Sequence, residues 1–517
     1  MPRIVYLDLD ALNPSHLGCY GYHRDTSPNI DQLAKDGVRF DNVYCSDAPC
    51  LPSRTALYTG RFGIHTGVVG HGDTAADPKR EGPGRGFRST YEEDSFPRQL
   101  QKLGMHTAMI SPFGQRHAAH HYYAGFNEIH NTGEGGQEPV ETVEPVLQSW
   151  LDRNVERDDW YLHLNFWDIH TPYRVPMDYG DPFANEPIAD WFTDDVIQRH
   201  LQRGGPHSAS DLGMYGDHPT DRYPRVPSRI TDRASLTRWI NGYDTAIRYV
   251  DDAVGRLIQR LKDAGVYDDT IILVSADHGE NQGQLGIYGE HGTADHATCR
   301  LPFILKWPGI EGGREFASLH YHLDWPTTCL ELLGQEAAAM TPAVWDGKSF
   351  ADTLKTDRPG GRDELVLSQC AHVCQRSVRF EADGKSWLYM RTYHDGLHPF
   401  DKHTLFNLTD DPHEQHDVAD QHPELLREAT WRLLNWHDEA MASVVRDCSD
   451  VVDPLYTVLS QGGPFHCKID GSSNQPRGGV DAYVQRLRDT DRNEAADAVE
   501  ARYGAPASVA AQPPASA

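Results

Sequence analysis

From Leu236 to Ala264 the chain carries one apolar stripe at helical spacing: Trp239, Tyr243, Ile247, Val250, Val254, Leu257, Ile258 and Leu261. Gly265 ends it, and Thr270-Ile271-Ile272-Leu273-Val274 follows as an almost uninterrupted apolar run. A long one-sided helix leading into a strand that is apolar on both faces calls for a sheet covered on both sides. The same alternation recurs along roughly the first 350 residues. Ile4-Val5-Tyr6-Leu7 reads as a buried strand ending at Asp8-Leu9-Asp10, and Pro28 to Asp36 as a helix with Ser27 as cap and Gly37 as stop. Thr107 to Ile110, Trp160 to Phe166 and Phe303 to Leu305 read as further strands. The pattern predicts an α/β domain built on a mostly parallel sheet flanked by helices.

Its 517 residues allow two or more units. From about residue 365 the texture changes to short aromatic-containing strands, Ser377 to Phe380 and Ser386 to Tyr389, and then to helices including Glu424 to Met441. We therefore divide the chain into a domain over 1–364, a smaller C-terminal α+β subdomain with a helical extension over 365–505, and a disordered tail over 506–517 rich in Ala, Pro and Ser. Residues 202–232, rich in Pro, Gly, Asp and Arg, read as an inserted surface loop. The net charge of −28 argues against nucleic acid or an anionic membrane as a partner. The nine scattered cysteines do not form a disulfide framework, and Cys370-x-x-x-Cys374 has no second pair to suggest zinc. The N-terminus lacks a basic segment followed by an apolar one, and no run reaches the length of a membrane span, so a cytoplasmic protein is expected. The long C-terminal extension is a candidate for homo-oligomer contacts.

The chemistry concentrates at Cys50-Leu51-Pro52-Ser53-Arg54, followed by Leu57-Tyr58-Thr59-Gly60. Pro52 suits a first helical turn and Gly60 can end the helix, so Cys50 lies at or just before a helix N-terminus, where anions bind. Arg54, one turn on, adds a fixed positive charge. This C-x-P-S-R and L-x-T-G pattern resembles the signature of the type I, formylglycine-dependent sulfatases of the alkaline phosphatase superfamily. The resemblance implies an alkaline-phosphatase-like fold and a maturation enzyme that oxidises Cys50 to formylglycine.

Asp10, His170 and Asp277-His278 fall just past the carboxyl ends of three of these strands, the edge where ligands collect in open α/β sheets. Asp277-His278-Gly279-Glu280 resembles the family's metal-binding stretch. Asp10 aligns with the metal ligand at the end of the first strand, counting back from Leu17-Gly18-Cys19-Tyr20-Gly21. The implied metal ligands are Asp10, Cys50 as formylglycine, Asp277 and His278, around one divalent cation: calcium, or manganese given the histidine. Relatives often carry two consecutive aspartates where this chain has Asp10-Ala11; Asp8, on the same strand face, should lie too deep to substitute. His170, in Asp168-Ile169-His170-Thr171-Pro172-Tyr173, resembles the stretch whose histidine contacts the sulfate or leaving oxygen, and is the expected general acid. Two family lysines are missing. Ser111-Pro112-Phe113-Gly114-Gln115-Arg116-His117 stands where relatives have G-K-W-H-L-G, with Arg116 or His117 as replacements, and His291 stands where a lysine precedes R-V-P. His65, His71, His120 and His121 are expected to be structural or solvated. Leu405 to Pro412 resembles the family's C-terminal L-Y-D-L-x-x-D-P stretch.

Carried over, the resemblance implies sulfate ester hydrolysis on a carbohydrate or other small organic sulfate, with Cys50, Arg54, His170 and His291 as catalytic residues. One hydroxyl of hydrated formylglycine would attack sulfur, and loss of a proton from the other would expel sulfate. Arg54 would help to stabilise the transferring group. Two alternatives stand beside this. One is a phosphonate monoester or phosphodiester hydrolase of the same superfamily. The other is a non-catalytic binding homologue with an unmodified Cys50.

Overall fold

The computed structural model describes residues 2–79, 90–356, 360–443, 452–465 and 479–503. The expected tail at 506–517 lies outside them. In chain order the strands are β1 (Arg3–Leu9), β2 (Val38–Tyr44), β3 (Asp47–Ala48), β4 (His106–Ile110), β5 (Glu128–His130), β6 (Trp160–Phe166), β7 (Thr270–Ser275), β8 (Asn281–Gln282), β9 (Tyr288–Glu290), β10 (Arg300–Leu301), β11 (Ile304–Lys306), β12 (Arg314–Tyr321), β13 (Glu364–Gln369), β14 (Cys374–Ala382), β15 (Lys385–His394) and β16 (His403–Asn407).

The larger sheet runs β10-β2-β11-β7-β1-β6-β4-β5, with β12 beside β2. β1 pairs in parallel with both β6 and β7, and β4 joins β6 and β5 in parallel. Only the short β10 and β11 run against their neighbours. β1, β6 and β7 are buried at every position, which is why they read as apolar runs rather than alternations. The predicted long helix spans Arg233–Asp263 and is started by a capping box between Asp232 and Ser235. Its Asp251 accepts from the backbone N–H of Asn29 at 3.0 Å and of Ile30 at 2.8 Å, docking the Pro28–Asp36 helix. Ser27 does not cap that helix; its hydroxyl donates to Asp31 and accepts from the Gly18 N–H.

The smaller sheet runs β16-β15-β14-β13-β3. Its strands are longer than the aromatic fragments suggested, and the Pro423–Ala442 helix packs on it through Ala429 and Leu433. Its edge strand β3 comes from residue 47, and pairs Asp47 with Ser368 and Ala48 with Gln369 in parallel. The two sheets are thus joined immediately upstream of Cys50. The 202–232 segment differs from a simple surface loop: Ala209, Asp211, Val226 and Ile230 are buried. Asp211 anchors it, taking Arg492 Nη1 at 2.6 Å, Arg486 Nε at 2.6 Å and the Tyr483 hydroxyl at 3.0 Å from the C-terminal helices.

Candidate active site

Cys50 opens the Cys50–Thr59 helix, whose residues are all buried. Each motif residue has a local task. Ser53 Oγ donates to the Asp277 carbonyl and lies 3.0 Å from His322 Nε2, tying the helix to the loop after β7. Gly60 ends the helix at φ 63°, and a Cβ there would meet the Trp345 ring at 2.6 Å.

Arg54 points beneath Cys50 into three carboxylates. Its Nε lies 2.7 Å from Asp8 Oδ2, its Nη2 2.8 Å from Asp10 Oδ2 and its Nη1 2.7 Å from Asp277 Oδ2. Phe113 and Trp167 lie against the guanidinium, with ring centroids at 4.3 and 5.5 Å. Each nitrogen of Arg54 thus lies against a carboxylate. Asp8 is held away from the other ligand candidates by Arg54 and by His163 at 3.1 Å.

One ligand atom from each of Asp10, Cys50, Asp277 and His278 lies within 4.8 Å of the others. His278 Nδ1–H donates to the Gly279 carbonyl at 2.8 Å, which leaves Nε2 with its lone pair 3.1 Å from Cys50 Sγ and 3.2 Å from Asp277 Oδ2. A backbone carbonyl that fixes the tautomer in this way is the usual support of a metal-ligating imidazole. Asp10 Oδ1 is buried and receives no hydrogen bond among the described residues. At position 11 the chain supplies a backbone N–H, 3.3 Å from Asp277 Oδ1, in place of a second carboxylate.

The electrostatics favour a cation here. Burial, then repulsion from Asp277, pushes Asp10 up to about 7; burial also raises Asp277 to about 6 against the pull of Arg54. Burial lowers His278 to about 3, so its imidazole is neutral and free to coordinate. Burial opposes ionisation of Asp8 too, but Arg54 and His163 outweigh it and hold its carboxyl below the usual range. Burial and the two aspartates push the Cys50 thiol well above its ordinary value, so these groups keep it protonated. Two crowded carboxylates and a neutral imidazole beside Cys50 suit a hard or borderline divalent ion.

The open side of the site is lined by histidines and arginines. The His170 and His291 rings lie 4.8 Å apart, and His291 stacks on His278 at 4.1 Å. His291 Nδ1 is 3.7 Å from Glu280 Oε2, a carboxylate also held by the Tyr173 hydroxyl at 2.6 Å. His170 Nδ1–H donates to the Thr171 carbonyl at 2.6 Å. Burial, then His291, Arg116 and Arg174, lowers His170 well below its ordinary value. Neutral His170 therefore presents a lone pair at Nε2 and becomes a donor only when an anion offsets those charges. His71 is not merely solvated: with His117 and Cys50 it forms a second close group, and the two histidine rings lie 4.8 Å apart. His65 is structural, bridging Asp346 at 2.6 Å and the Ala440 carbonyl at 2.9 Å. His121 lies 3.2 Å from Thr55 Oγ1.

Sequence reasoning named Arg116 as a replacement cation, and placed Arg174 only in a Tyr173-Arg174 piece that fits a sugar sulfate and an ordinary surface equally. Arg116 lies over Trp167 at 4.9 Å and donates to the Gly136 carbonyl at 3.0 Å. Arg174 follows the His170 segment directly and is partly buried. The signal was its place just past a strand end, four residues after His170. A cavity of about 600 Å³ lies elsewhere, around Phe62, Arg362 and Arg432. Its two arginines are paired, Arg362 with Asp324 and Arg432 with Glu364.

The sulfatase family model matches residues 2–335. The arylsulfatase of Hemicentrotus pulcherrimus is 25% identical over 370 residues, covering 68% of this chain and 62% of that protein, so the chain spans less than two thirds of that relative. The choline-sulfatase of Rhizobium meliloti (strain 1021) is 25% identical over 511 residues, covering 90% of this chain and 92% of the relative. Among solved structures, BT4656 in complex with its substrate D-glucosamine-2-N,6-O-disulfate superposes with a TM-score of 0.63 at 18% identity, covering 85% of this chain and 98% of that one.

Proposed function

Because the chain belongs to the sulfatase family, we propose that it hydrolyses sulfate esters with a formylglycine at position 50 and one divalent cation held by that residue, Asp10, Asp277 and His278. The observation that carries this is the buried group itself: Cys50 Sγ at a helix start, 3.1 Å from His278 Nε2 and grouped with Asp10 and Asp277. Formylglycine supplies, once hydrated, one hydroxyl to attack sulfur and a second whose deprotonation releases sulfate. A cation there, calcium or manganese, held by Asp10, Asp277, His278 and residue 50, would lower the pKa of the attacking hydroxyl and offset sulfuryl charge.

The chain's own residues do the rest. Arg54 holds three carboxylates apart and in place, so it positions ligands rather than substrate. The Gly279 carbonyl fixes the His278 tautomer. Arg116 takes the place of a missing lysine as fixed positive charge near the sulfate oxygens. A bound sulfate ester, a monoanion, offsets part of the surrounding positive charge, which lets His170 take the proton given up by the attacking hydroxyl and deliver it to the leaving oxygen; His291, backed by Glu280, stands beside it. The substrate class is a saccharide or other small organic sulfate, supported by the names of the relatives and the disulfate in the BT4656 complex. The seven described cysteines are free, in keeping with a reducing compartment such as the cytoplasm. No described helix is long and apolar enough to cross a membrane.

The test is the mass of the peptide containing Cys50 after co-expression with a formylglycine-generating enzyme, read beside turnover of an aryl sulfate. We expect aldehyde or its hydrate together with turnover; an active preparation holding only thiol would refute the nucleophile assignment. A second reading, phosphonate monoester or phosphodiester hydrolysis, draws on arginines and a histidine standing where the lysines are missing. A much larger kcat/KM on either phosphorus ester than on the matched sulfate would select it.

A further inference from the structure

A cavity of about 320 Å³ lies between the segment after His170 and the 202–232 insertion. Arg174, Arg222 and Arg225 line it with Gln137, Tyr173 and Tyr223, and its lining contains no aspartate or glutamate. In a chain of net charge −28, three arginines around one cavity without an acid run against the average of the molecule.

The three arginines have different tasks. Arg225 is consumed by backbone: its Nε donates to the Val175 carbonyl at 2.6 Å, its Nη1 to the Gly180 carbonyl at 2.8 Å and its Nη2 to the Pro176 carbonyl. It staples the insertion to the 175–180 segment and fixes that wall. Arg222 is exposed, gives Nη2 to Gln137 Oε1 at 3.0 Å and lies 5.1 Å over the Tyr223 ring. Arg174 makes a long 3.4 Å contact to the His170 carbonyl, and its buried Nε has no hydrogen-bond partner among the described residues. Arg174 therefore lines the cavity while touching the segment that carries His170. Arg174 and Arg222 thus keep guanidinium donors for an occupant, in the planar fork that fits sulfate and carboxylate.

We propose that this cavity is an accessory anion subsite. It holds a second sulfate or carboxylate of the substrate while the scissile sulfate lies at Cys50, so the enzyme selects polyanionic saccharide sulfates over monosulfates. The place of the scissile group rests on the sulfatase reading; the binding of a second anion is measured separately from it. The subsite also gives the 202–232 insertion a purpose: it delivers Arg222 and Tyr223 to the edge of the catalytic centre.

The experiment is calorimetric binding to the cation-loaded Cys50→Ala protein, which does not consume its ligand. The probes are D-glucosamine-2-N,6-O-disulfate, a sulfated uronate, and N-acetyl-D-glucosamine-6-O-sulfate as the monosulfate. At least one dianion should bind about tenfold or more tightly than the monosulfate, the effect of one charge-assisted hydrogen bond. The two dianions distinguish sulfate from carboxylate as the second group. Adding Arg222→Gln should bring the preference to about one. Arg222 is exposed, so the fold is not at risk. Dianions that bind no tighter than the monosulfate, or a preference that survives Arg222→Gln, would overturn the subsite. Failure of the formylglycine-bearing protein to turn over any sulfate would instead sink the sulfatase reading and leave the binding result standing.

Discussion

Arg54→Gln tests whether three carboxylates are gathered here to share a cation. Arg54 and its partners are at most 2% exposed at the side chain, with contacts of 2.7 to 2.8 Å. At an effective dielectric of about 20, unit charges about 4 Å apart attract by about 4 kcal/mol. Desolvation cancels much of that sum, and breaking a buried arrangement of this kind costs about 3–5 kcal/mol. At about 2 °C per kcal/mol for a domain of a few hundred residues, Arg54→Gln in chelator should melt roughly 6–10 °C below wild type. The loss should shrink when millimolar calcium or manganese is added. The variant's carboxylates have lost their internal cation, so binding of an external one stabilises the fold by more than it does in wild type. Arg54→Lys, which keeps the charge but cannot span three carboxylates, should fall between. Thermal melts of the three proteins with and without cation read this directly. A deficit that is the same with and without cation would refute the idea that Arg54 and a metal answer to the same carboxylates.

Asp10→Asn should abolish cation-dependent stabilisation and turnover together, weakening cation binding beyond the roughly 10–100-fold cost of losing an outer partner; titration calorimetry checks it. Gly279→Ala should uncouple fold from site, because its Cβ would stand 2.2 Å from the Ala297 carbonyl and displace the Asp277-His278 loop. A variant that folds, judged by circular dichroism, and still binds the cation normally would contradict that. Asp453→Asn breaks a two-pronged pair with Arg376, both side chains 3% exposed, and should cost about 3–5 kcal/mol in the C-terminal unit. Burial opposes ionisation of Asp453, but Arg376 outweighs it and lowers its pKa. The pair's contribution is therefore present above the unfolded value of about 3.9 and fades as pH falls through the lower folded value. The gap in melting temperature between wild type and variant should close in that acid range.

The parallel sheet was legible because β1, β6 and β7 are covered on both faces and so write themselves as apolar runs. Asp10, Asp277 and His278 were legible because they sit one to three residues past such runs. β2 was not: its solvent-facing Arg39 and Asp41 break the run, and its partners β10 to β12 lie more than two hundred residues away. Arg54 could be placed near the site but not aimed, since sequence spacing gives the turn of a helix and not which of three distant carboxylates the guanidinium meets. The Tyr173-Arg174 piece fits a sugar sulfate and an ordinary surface equally when read from sequence, because what Arg174 meets depends on a cavity wall supplied by the insertion. The neutral state of His170 follows from burial and three cationic or ionisable neighbours drawn from separate segments, and no local pattern encodes that.

The pairing of Asp47 and Ala48 with β13 also sets an order of events during synthesis. The residues just ahead of Cys50 wait for a strand made more than three hundred residues later before they acquire their sheet partners. In the folded protein Cys50 is 1% exposed. On the proposed reading, chemical maturation and folding thus compete for the same stretch of chain. Changes in β13 that hasten or delay its docking should alter the fraction of molecules that leave the ribosome converted, without touching the site itself.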